Sequence, residues 1–440
     1  MQRGMKVRIA PPVGGVPAVR HSSGSPLSHA AFVLLLIMAL FGNFLLSGGM
    51  AFAAGGGGNV INQIAYLGVL LLAVAGCKPW QNPAAMLVLP FSLLLALGWA
   101  WLSITWSLAP AISARRVALL TVVTLTAFLS VRGIGYDRTT GTIRVFLVIA
   151  LVMSYLAALL FPTVGIQYMS VLTERNYGGT WRGVFIDKNA CGQFCLITVL
   201  FFVFGRFPNR QYLLRAAVVL LAVFLLYKTQ SKTSLGVLGV ALAFGFVARY
   251  NRLFRIFLAP LAAYALVIVI FFQDAIGGPF INALHDPDAF TGRGAIWASL
   301  VRYLHDHWLL GTGYGAFWAV GDLSPIYQNA AYEWVKTILT GHNGYLDIWV
   351  TIGLPGLILV IVATFVAPLL RIFLANPEPG EAALLASMIV GVAGISVTES
   401  VLFNTDFTIN IFLMITIALI AEKVRARRVS AAAGHPRQTP

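Results

Sequence analysis

Three basic side chains occupy short polar motifs in an otherwise apolar chain, and their chemistry suits an anionic substrate. Arg293 lies in "TGRG", where the flanking glycines let the backbone approach a ligand closely, and Lys232 lies in the polar turn "TQSKTSLG". His342, in "TGHNGYLDIW", precedes a predicted helix, and imidazole is the usual general base near neutral pH. A helix cap or an interface hydrogen bond is the alternative interpretation of His342. These residue types could bind an anion and move a proton.

The composition places these residues in a membrane protein. The 440 residues are 59% hydrophobic and only 10% charged, whereas about a quarter of the residues of a soluble domain are charged. Runs such as "AAFVLLLIMALFGNFLL" are long enough to cross a bilayer as helices, and they lack the alternation of barrel strands. The sequence therefore predicts an all-α polytopic integral membrane protein with about twelve transmembrane helices. The predicted spans lie near residues 30–48, 60–76, 84–103, 114–131, 143–161, 190–205, 211–227, 233–248, 254–272, 344–366, 382–398 and 408–424.

The distribution of basic residues orients these spans. With the N-terminus in the cytoplasm, the inner loops contain most of the Lys and Arg residues, as the positive-inside rule requires. The formal net charge of +15 therefore reflects topology and not nucleic-acid binding. We expect the first apolar run to remain as an uncleaved helix, with cleavage near "AFAAGG" as the alternative. The predicted regions are an inner tail (1–29), nine helices (30–272), a large outer loop (273–342), three helices (343–424) and an inner tail (425–440).

The large outer loop is predicted to be folded and partly helical, because it combines aromatic residues with glycine-rich turns. "GAIWASLVRYLHDHW" reads as an amphipathic helix, and "AAYEWVKTILT" predicts a second, short helix. Both are expected to lie in the headgroup plane. The "HDH" triplet does not predict a metal site, since side chains at i and i+2 of a helix diverge. In the predicted amphipathic helix "GAIWASLVRYLHDHW", the apolar residues that recur at helical spacing are Ile296, Leu300, Tyr303 and Leu304.

Six short motifs follow one another along the chain: "WAWLSITWSLAPAISARR", "WRGVFIDKNACGQ", "TQSKTSLG", "TGRGAIW", "LLGTGYGAF" and "GHNGYLDIWVTIGLPG". They occur in the order found in the O-antigen ligase-like superfamily, which the chain resembles from about residue 95 to residue 410. The details "SKT", "GR..IW" and "GYGAFW" are most similar to the exopolysaccharide-polymerase branch. The resemblance implies a GT-C-like glycosyltransferase architecture in the bacterial inner membrane, with the active site and the large loop facing the periplasm.

The resemblance also implies a reaction. A glycan attached to undecaprenyl pyrophosphate would be transferred to an acceptor hydroxyl with inversion, without a cofactor or a required metal. Arg293 and His342 match the working arginine and histidine of the ligases, and Lys232 stands where those enzymes have a second arginine. Lysine offers a point charge instead of a planar fork. Asp187 stands where related sequences often have histidine.

Further residues are candidates for the same site. Arg182, Lys188 and Arg115 could join Arg293 and Lys232 in neutralising the pyrophosphate, with snorkelling at the interface as the alternative for each. Five more side chains are candidates for binding sugar, with interfacial anchoring as the alternative for the tryptophans and a general-base role as the alternative for the acids. They are Trp297, Trp318, Trp334, Glu399 and Asp406.

Three functions compete. The leading prediction is a polymerase that joins undecaprenyl-pyrophosphate-linked repeat units, because a near-neutral outer face does not favour a phosphorylated acceptor. The alternatives are an O-antigen ligase that uses lipid A-core as its acceptor, and a polysaccharide or lipid transporter. A transporter would carry charges within its spans, and these are almost absent. The expected partners are the lipid-linked donor, a growing polysaccharide or lipid A-core, membrane lipids, and a chain-length regulator with export machinery.

Overall fold

The computed structural model describes residues 25–46, 60–81, 83–169, 176–250, 293–404 and 407–432. These residues form a helical bundle with one antiparallel hairpin of strands β1 (Ile166–Met169) and β2 (Asn176–Trp181). The helices are α1 (Pro26–Leu46), α2 (Val60–Cys77), α3 (Phe91–Leu102), α4 (Pro110–Ile134), α5 (Tyr136–Leu160), α6 (Pro162–Gly165), α7 (Lys188–Phe204), α8 (Tyr212–Thr229), α9 (Lys232–Tyr250), α10 (Arg293–His307), α11 (Ile326–Asn329), α12 (Gly344–Ile361), α13 (Ala367–Ala375), α14 (Pro379–Ile395) and α15 (Thr408–Ala432).

The all-α class predicted from hydropathy is confirmed. Every predicted span overlaps a described helix except 254–272, which lies outside the described residues. The number of spans, twelve, and the GT-C-like architecture stay predictions. In the described ranges, six segments are long and apolar enough to cross a bilayer: Val60–Cys77, Pro110–Ile134, Tyr136–Leu160, Tyr212–Thr229, Lys232–Arg249 and Gly344–Ala375.

The bundle has a packed centre and an apolar outer surface. Phe194 and Phe201 of α7 are buried, and the ring of Phe201 lies 6.3 Å from that of Phe412 on α15. On the outside, α2, α5 and α8 expose large apolar side chains that would be unfavourable in water but not in hydrocarbon. The outer surface therefore fits a lipid bilayer. Examples of these exposed residues are Ile64, Leu71, Val152, Leu220 and Phe224.

The loops lie at two ends of the bundle, and the loops that share an end are the ones predicted to lie on the same side of the membrane. At one end, Lys423 of α15 donates to Glu381 of α14 over 2.6 Å, and Arg206 pairs with Glu378. The loops at this end are the ones predicted to be cytoplasmic. The hairpin, α10 and the described part of the large loop lie at the other end. That this other end faces the periplasm stays a prediction.

The described part of the large loop is folded, as predicted. The predicted apolar face of α10 is buried in a cluster that also contains Phe317, Val335 and Val350. The second short helix is a 3₁₀ turn at Glu333–Thr337. The loop therefore has its own small core, packed on the start of α12.

The predicted span at 344–366 overlaps the apolar segment Gly344–Ala375, but the helix there is interrupted at Gly353. Gly353 has φ 70° and ψ −179°, which interrupts the helix. In a straight helix Tyr345 and Phe365 would be about 30 Å apart, yet their ring centroids are 6.2 Å apart. Residues 344–352 therefore fold back towards the segment that follows. That segment, residues 354–375, is about 33 Å long and can cross the bilayer on its own.

Hydrogen bonds with residues remote in sequence stabilise this break. The Trp99 indole donates to the carbonyl of Ile352 over 2.9 Å, and the backbone N–H of Leu354 donates to the carbonyl of Trp308 over 2.9 Å. A β-carbon at Gly353 would lie 1.9 Å from the carbonyl oxygen of Leu309. Only glycine combines this positive φ with so close an approach of two backbones.

Replacing Gly353 with alanine should destabilise the protein strongly. The Gly353→Ala side chain would face both a strained φ and a clash with Leu309, which together cost about 2 kcal/mol or more. Gly68→Ala in α2 is the matched control, since a β-carbon there meets no described atom within 4 Å. Thermal unfolding in detergent should show a lower Tm for Gly353→Ala and an unchanged or slightly higher Tm for Gly68→Ala. Equal Tm values would contradict the break.

Candidate active site

Two residues singled out by the sequence meet at a third, Glu399. Arg293 Nη2 donates to Glu399 Oε1 over 2.5 Å, and His342 Nδ1 lies 3.5 Å from Glu399 Oε2. The side chains of Arg293 and Glu399 are only 15% and 12% exposed, whereas that of His342 is 35% exposed. One carboxylate therefore joins the arginine to the histidine and leaves part of the imidazole open.

The start of α7 reaches the same carboxylate. Asn189 Nδ2 donates to Glu399 Oε1 over 2.9 Å. Asp187 caps the helix, because its Oδ1 accepts from the backbone N–H groups of Asn189 and Ala190, both at 2.8 Å. The residue that stands where relatives often have histidine is thus a helix cap here.

Four helices begin around the turn at residues 396–400. Helix α7 reaches it through Asn189 and α10 through Arg293, the first described residue of that helix. Thr233, at the start of α9, contacts Thr398 through hydroxyls 3.1 Å apart, and the N–H of Gly344 in α12 donates to the carbonyl of Ser396 over 2.8 Å. Each helix N-terminus carries a partial positive charge of roughly half an elementary charge. The turn therefore lies in a positive potential that suits anions.

Glu399 is ionised at neutral pH. Burial acts to raise its pKa, but the hydrogen bond with His342 and the positive charge of Arg293 outweigh burial and hold the pKa below its usual range. Because the folded-state pKa lies below the unfolded one, the charged form stabilises the fold above the ordinary carboxyl range. This stabilisation is lost as the pH falls through the folded-state pKa.

Asp187 shows the opposite shift. Burial and the nearby negative charge of Glu399 raise its pKa, although the two N–H donors and His342 act against them. The charged form of Asp187 is therefore disfavoured in the folded protein, unlike that of Glu399. The difference arises because Arg293 pairs directly with Glu399, whereas the hydrogen bonds to Asp187 come from two backbone N–H groups.

The turn that carries His342 is held on both sides. The Trp297 indole donates to the carbonyl of Gly341 over 3.0 Å, and Asp347 accepts from the N–H of Gly341 at 3.1 Å. Asn343 caps α12 by accepting from two backbone N–H groups at 3.0 Å. His342 itself has φ 48°, in the left-handed region. These contacts fix the backbone that carries the imidazole.

Two of the three tryptophans predicted to stack on sugar are buried. Trp297 and Trp318 are only 4% and 9% exposed, and they pack in the core of the large loop. Trp318 donates to Asp347 Oδ1 over 2.9 Å. Little of either ring is exposed, and sugar binding by Trp297 and Trp318 stays a prediction. Trp334 is 40% exposed, and its role as a sugar-binding residue stays a prediction.

Lys232 opens helix α9 beside the Glu399 turn. Its side chain is exposed, and the next residue is Thr233, which contacts Thr398. Ser231 is buried and donates to Ser234 over 3.0 Å, so the polar turn "TQSKT" presents the lysine and not the serine. Binding of pyrophosphate by Lys232 stays a prediction.

The remaining basic candidates lie on neighbouring elements. Arg182 donates to the carbonyl oxygen of Val164 in α6 over 2.8 Å and to that of Ile186, just before α7, over 3.4 Å. Lys188 is the first residue of α7. Arg115 lies near the start of α4, where the adjacent Arg116 donates to a backbone carbonyl of the large loop at 3.0 Å. The roles of Arg182, Lys188 and Arg115 as phosphate ligands stay predictions.

The sequence interpretation missed how the acidic residues act. Glu399 was a candidate base or sugar ligand, but in the structure it is the centre of an ion-pair cluster. Its signal was a carboxylate in "VTES", between two apolar spans. Asp406 lies outside the described residues. Among the described residues, no group of three or more His, Cys, Asp or Glu side chains is placed to hold a metal.

Two substitutions of Asp187 should distinguish the effect of its helix cap on stability from the effect of its charge. Asp187→Asn keeps an acceptor for the N–H groups and removes a disfavoured charge, so the Tm at pH 7 should stay equal or rise. Asp187→Ala removes the cap and should cost about 1 kcal/mol. Thermal unfolding of both variants checks this. A loss as large in Asp187→Asn as in Asp187→Ala would show that the charge itself stabilises the fold.

Replacing Trp297 with phenylalanine should loosen the His342 turn. Trp297→Phe leaves the buried carbonyl of Gly341 without its indole donor, at a cost of about 1–3 kcal/mol. Trp334→Phe is the control, since that ring is half exposed. Differential scanning measurements should show a lower Tm for Trp297→Phe alone. The same small shift in both variants would argue against a positioning role for Trp297.

Residues 216–361 match a family model described as O-antigen ligase, which is about a third of the chain. The matched segment contains Lys232, Arg293 and His342 but not Asn189 or Glu399. No curated protein matches the chain. The match and the apolar helices together support a multi-pass membrane protein of the O-antigen ligase-like superfamily, whose members are glycosyl-transferring enzymes.

Proposed function

We propose that the protein is a polymerase of lipid-linked glycan repeat units, acting at the periplasmic face of the bacterial inner membrane. The donor is an oligosaccharide on undecaprenyl pyrophosphate, and the acceptor is a hydroxyl of a second lipid-linked glycan. Membership of the O-antigen ligase-like superfamily supports the reaction class. The motif details in "GR..IW" and "GYGAFW" favour the polymerase branch.

One observation carries the proposal: the Arg293–Glu399–His342 cluster, around which four helices begin. The helix N-termini and Arg293 provide the positive potential that a pyrophosphate needs. The half-open imidazole of His342 provides a base within the same site. A phosphate-binding group next to a base is what glycosyl transfer from a lipid pyrophosphate requires.

The reaction is a direct displacement. The acceptor hydroxyl oxygen bonds to the anomeric carbon, and the bond from that carbon to the pyrophosphate oxygen breaks, leaving its electron pair on undecaprenyl pyrophosphate. His342 takes the hydroxyl proton, and Arg293 and Lys232 stabilise the charge that builds on the leaving group. Attack opposite the leaving group inverts the anomeric centre. Arg182, Lys188 and Arg115 are further candidates for holding the pyrophosphate.

The second candidate function is transfer of a finished glycan to lipid A-core. The description of the matched family, O-antigen ligase, favours it. The two functions share the donor and the displacement, and they differ in the acceptor. Lys232, which stands where ligases have an arginine, favours the polymerase over the ligase.

The test is transfer by purified protein in nanodiscs, with lipid-linked repeat units extracted from the source bacterium as the only substrate. We expect a ladder of longer glycans. Arg293→Ala and His342→Ala should each slow it by about 10²–10³-fold. Arg302→Ala and His305→Ala are matched controls, because both residues are exposed on α10, the helix that also carries Arg293. Both variants should retain activity. Lys232→Arg should be active and Lys232→Ala impaired.

Each other outcome has a meaning. Transfer only after lipid A-core is supplied would identify a ligase. No transfer to either acceptor would contradict the proposed function. Full activity of His342→Ala would remove His342 as the base.

A further inference from the structure

We propose that Glu399 is a positioning residue with two separate effects, one on each partner. It fixes the imidazole of His342 in the tautomer that can act as a base, and it restrains Arg293 until the pyrophosphate of the donor binds. The inference rests on the proposed function and deepens it, because it assigns a role to a carboxylate that does not touch the reacting atoms.

The first effect follows from hydrogen-bond chemistry. An ionised carboxylate only accepts, so the nitrogen that faces it must carry the proton. His342 Nδ1 faces Glu399 Oε2, so Nδ1 is protonated and Nε2 keeps its lone pair. The partly exposed ring can then present Nε2 to an acceptor hydroxyl. When Nε2 takes a proton, the carboxylate stabilises the imidazolium.

The contacts of Glu399 argue against its acting as the base. Oε1 already accepts from Arg293 and Asn189, and Oε2 faces His342. The side chain is only 12% exposed. Its pKa lies below the usual range, which makes it a weak base. A sugar-binding role requires the same oxygens and is opposed by the same contacts.

The second effect concerns charge. Glu399 neutralises Arg293, the residue that would grip the pyrophosphate. An incoming pyrophosphate must share the guanidinium with Glu399, and the two anions repel each other. The carboxylate therefore weakens donor binding while it prepares His342 for transfer. Removing its charge should have opposite effects on binding and on turnover.

Opposite effects on donor binding and on turnover would distinguish a positioning role of Glu399 from a purely structural one. A residue that only held the fold together would, when replaced, weaken donor binding and transfer together. Glu399→Gln preserves the shape and one acceptor oxygen but removes the charge. We expect it to bind undecaprenyl pyrophosphate about 3- to 30-fold more tightly and to reduce kcat about 10- to 100-fold.

The experiment uses the full chain in nanodiscs and three readouts. The first is the Kd of undecaprenyl pyrophosphate, used as a probe without glycan. The second is kcat with the lipid-linked repeat unit. The third is nitrogen-15 NMR of labelled histidine, in which the signal of His342 is identified among the seven histidines by its loss in His342→Gln. Glu333→Gln is the matched control, because Glu333 is highly exposed.

The inference predicts a combined result for Glu399→Gln: tighter probe binding, lower kcat and loss of the preference for protonated Nδ1. Glu399→Asp should restore part of kcat. Asn189→Ala, which removes one donor to Oε1, should change the same quantities by less. It also serves as the second variant if Glu399→Gln does not fold.

Two outcomes would overturn the inference: weaker probe binding together with lower kcat, or an unchanged His342 tautomer. Failure of the proposed function is recognisable separately. In that case the wild-type protein would transfer glycan to neither acceptor, while the NMR signal and probe binding would still decide the role of Glu399.

Discussion

A carboxylate removed from water costs several kcal/mol unless cations and donors surround it. Glu399 meets this constraint with Arg293, His342 and Asn189, which come from three parts of the chain. Helix α10, the turn before α12 and the start of α7 must therefore meet at one place. Loss of any partner would leave a buried charge poorly compensated. The large loop is thus joined to the bundle by this cluster as well as by its apolar core.

The helices could be predicted because the length and spacing of apolar residues are visible within each segment of the sequence. Apolar runs mark the spans, and the spacing of Ile296, Leu300 and Leu304 marks the buried face of α10. The break at Gly353 could not be predicted in the same way, although "GLPG" lies beside it. Its conformation depends on Trp99 and on the backbone after α10, and both are remote in sequence.

The site could be predicted only in part. Residue chemistry and the motif resemblance identified Arg293 and His342, but their connection through Glu399 depends on distances in space that sequence does not contain. Tryptophan posed a different problem. An indole can line a sugar site or fill a core, and only the burial of Trp297 and Trp318 distinguishes the two.

The family match ends at residue 361, before the carboxylate that completes the cluster. The matched segment therefore carries the cations of the site without their counter-ion, which comes from the turn after α14. Its boundaries describe sequence similarity and do not delimit a unit that could fold or function alone. A hybrid of this chain joined to another protein at a point between residues 361 and 399 would separate Arg293 and His342 from the carboxylate that they contact.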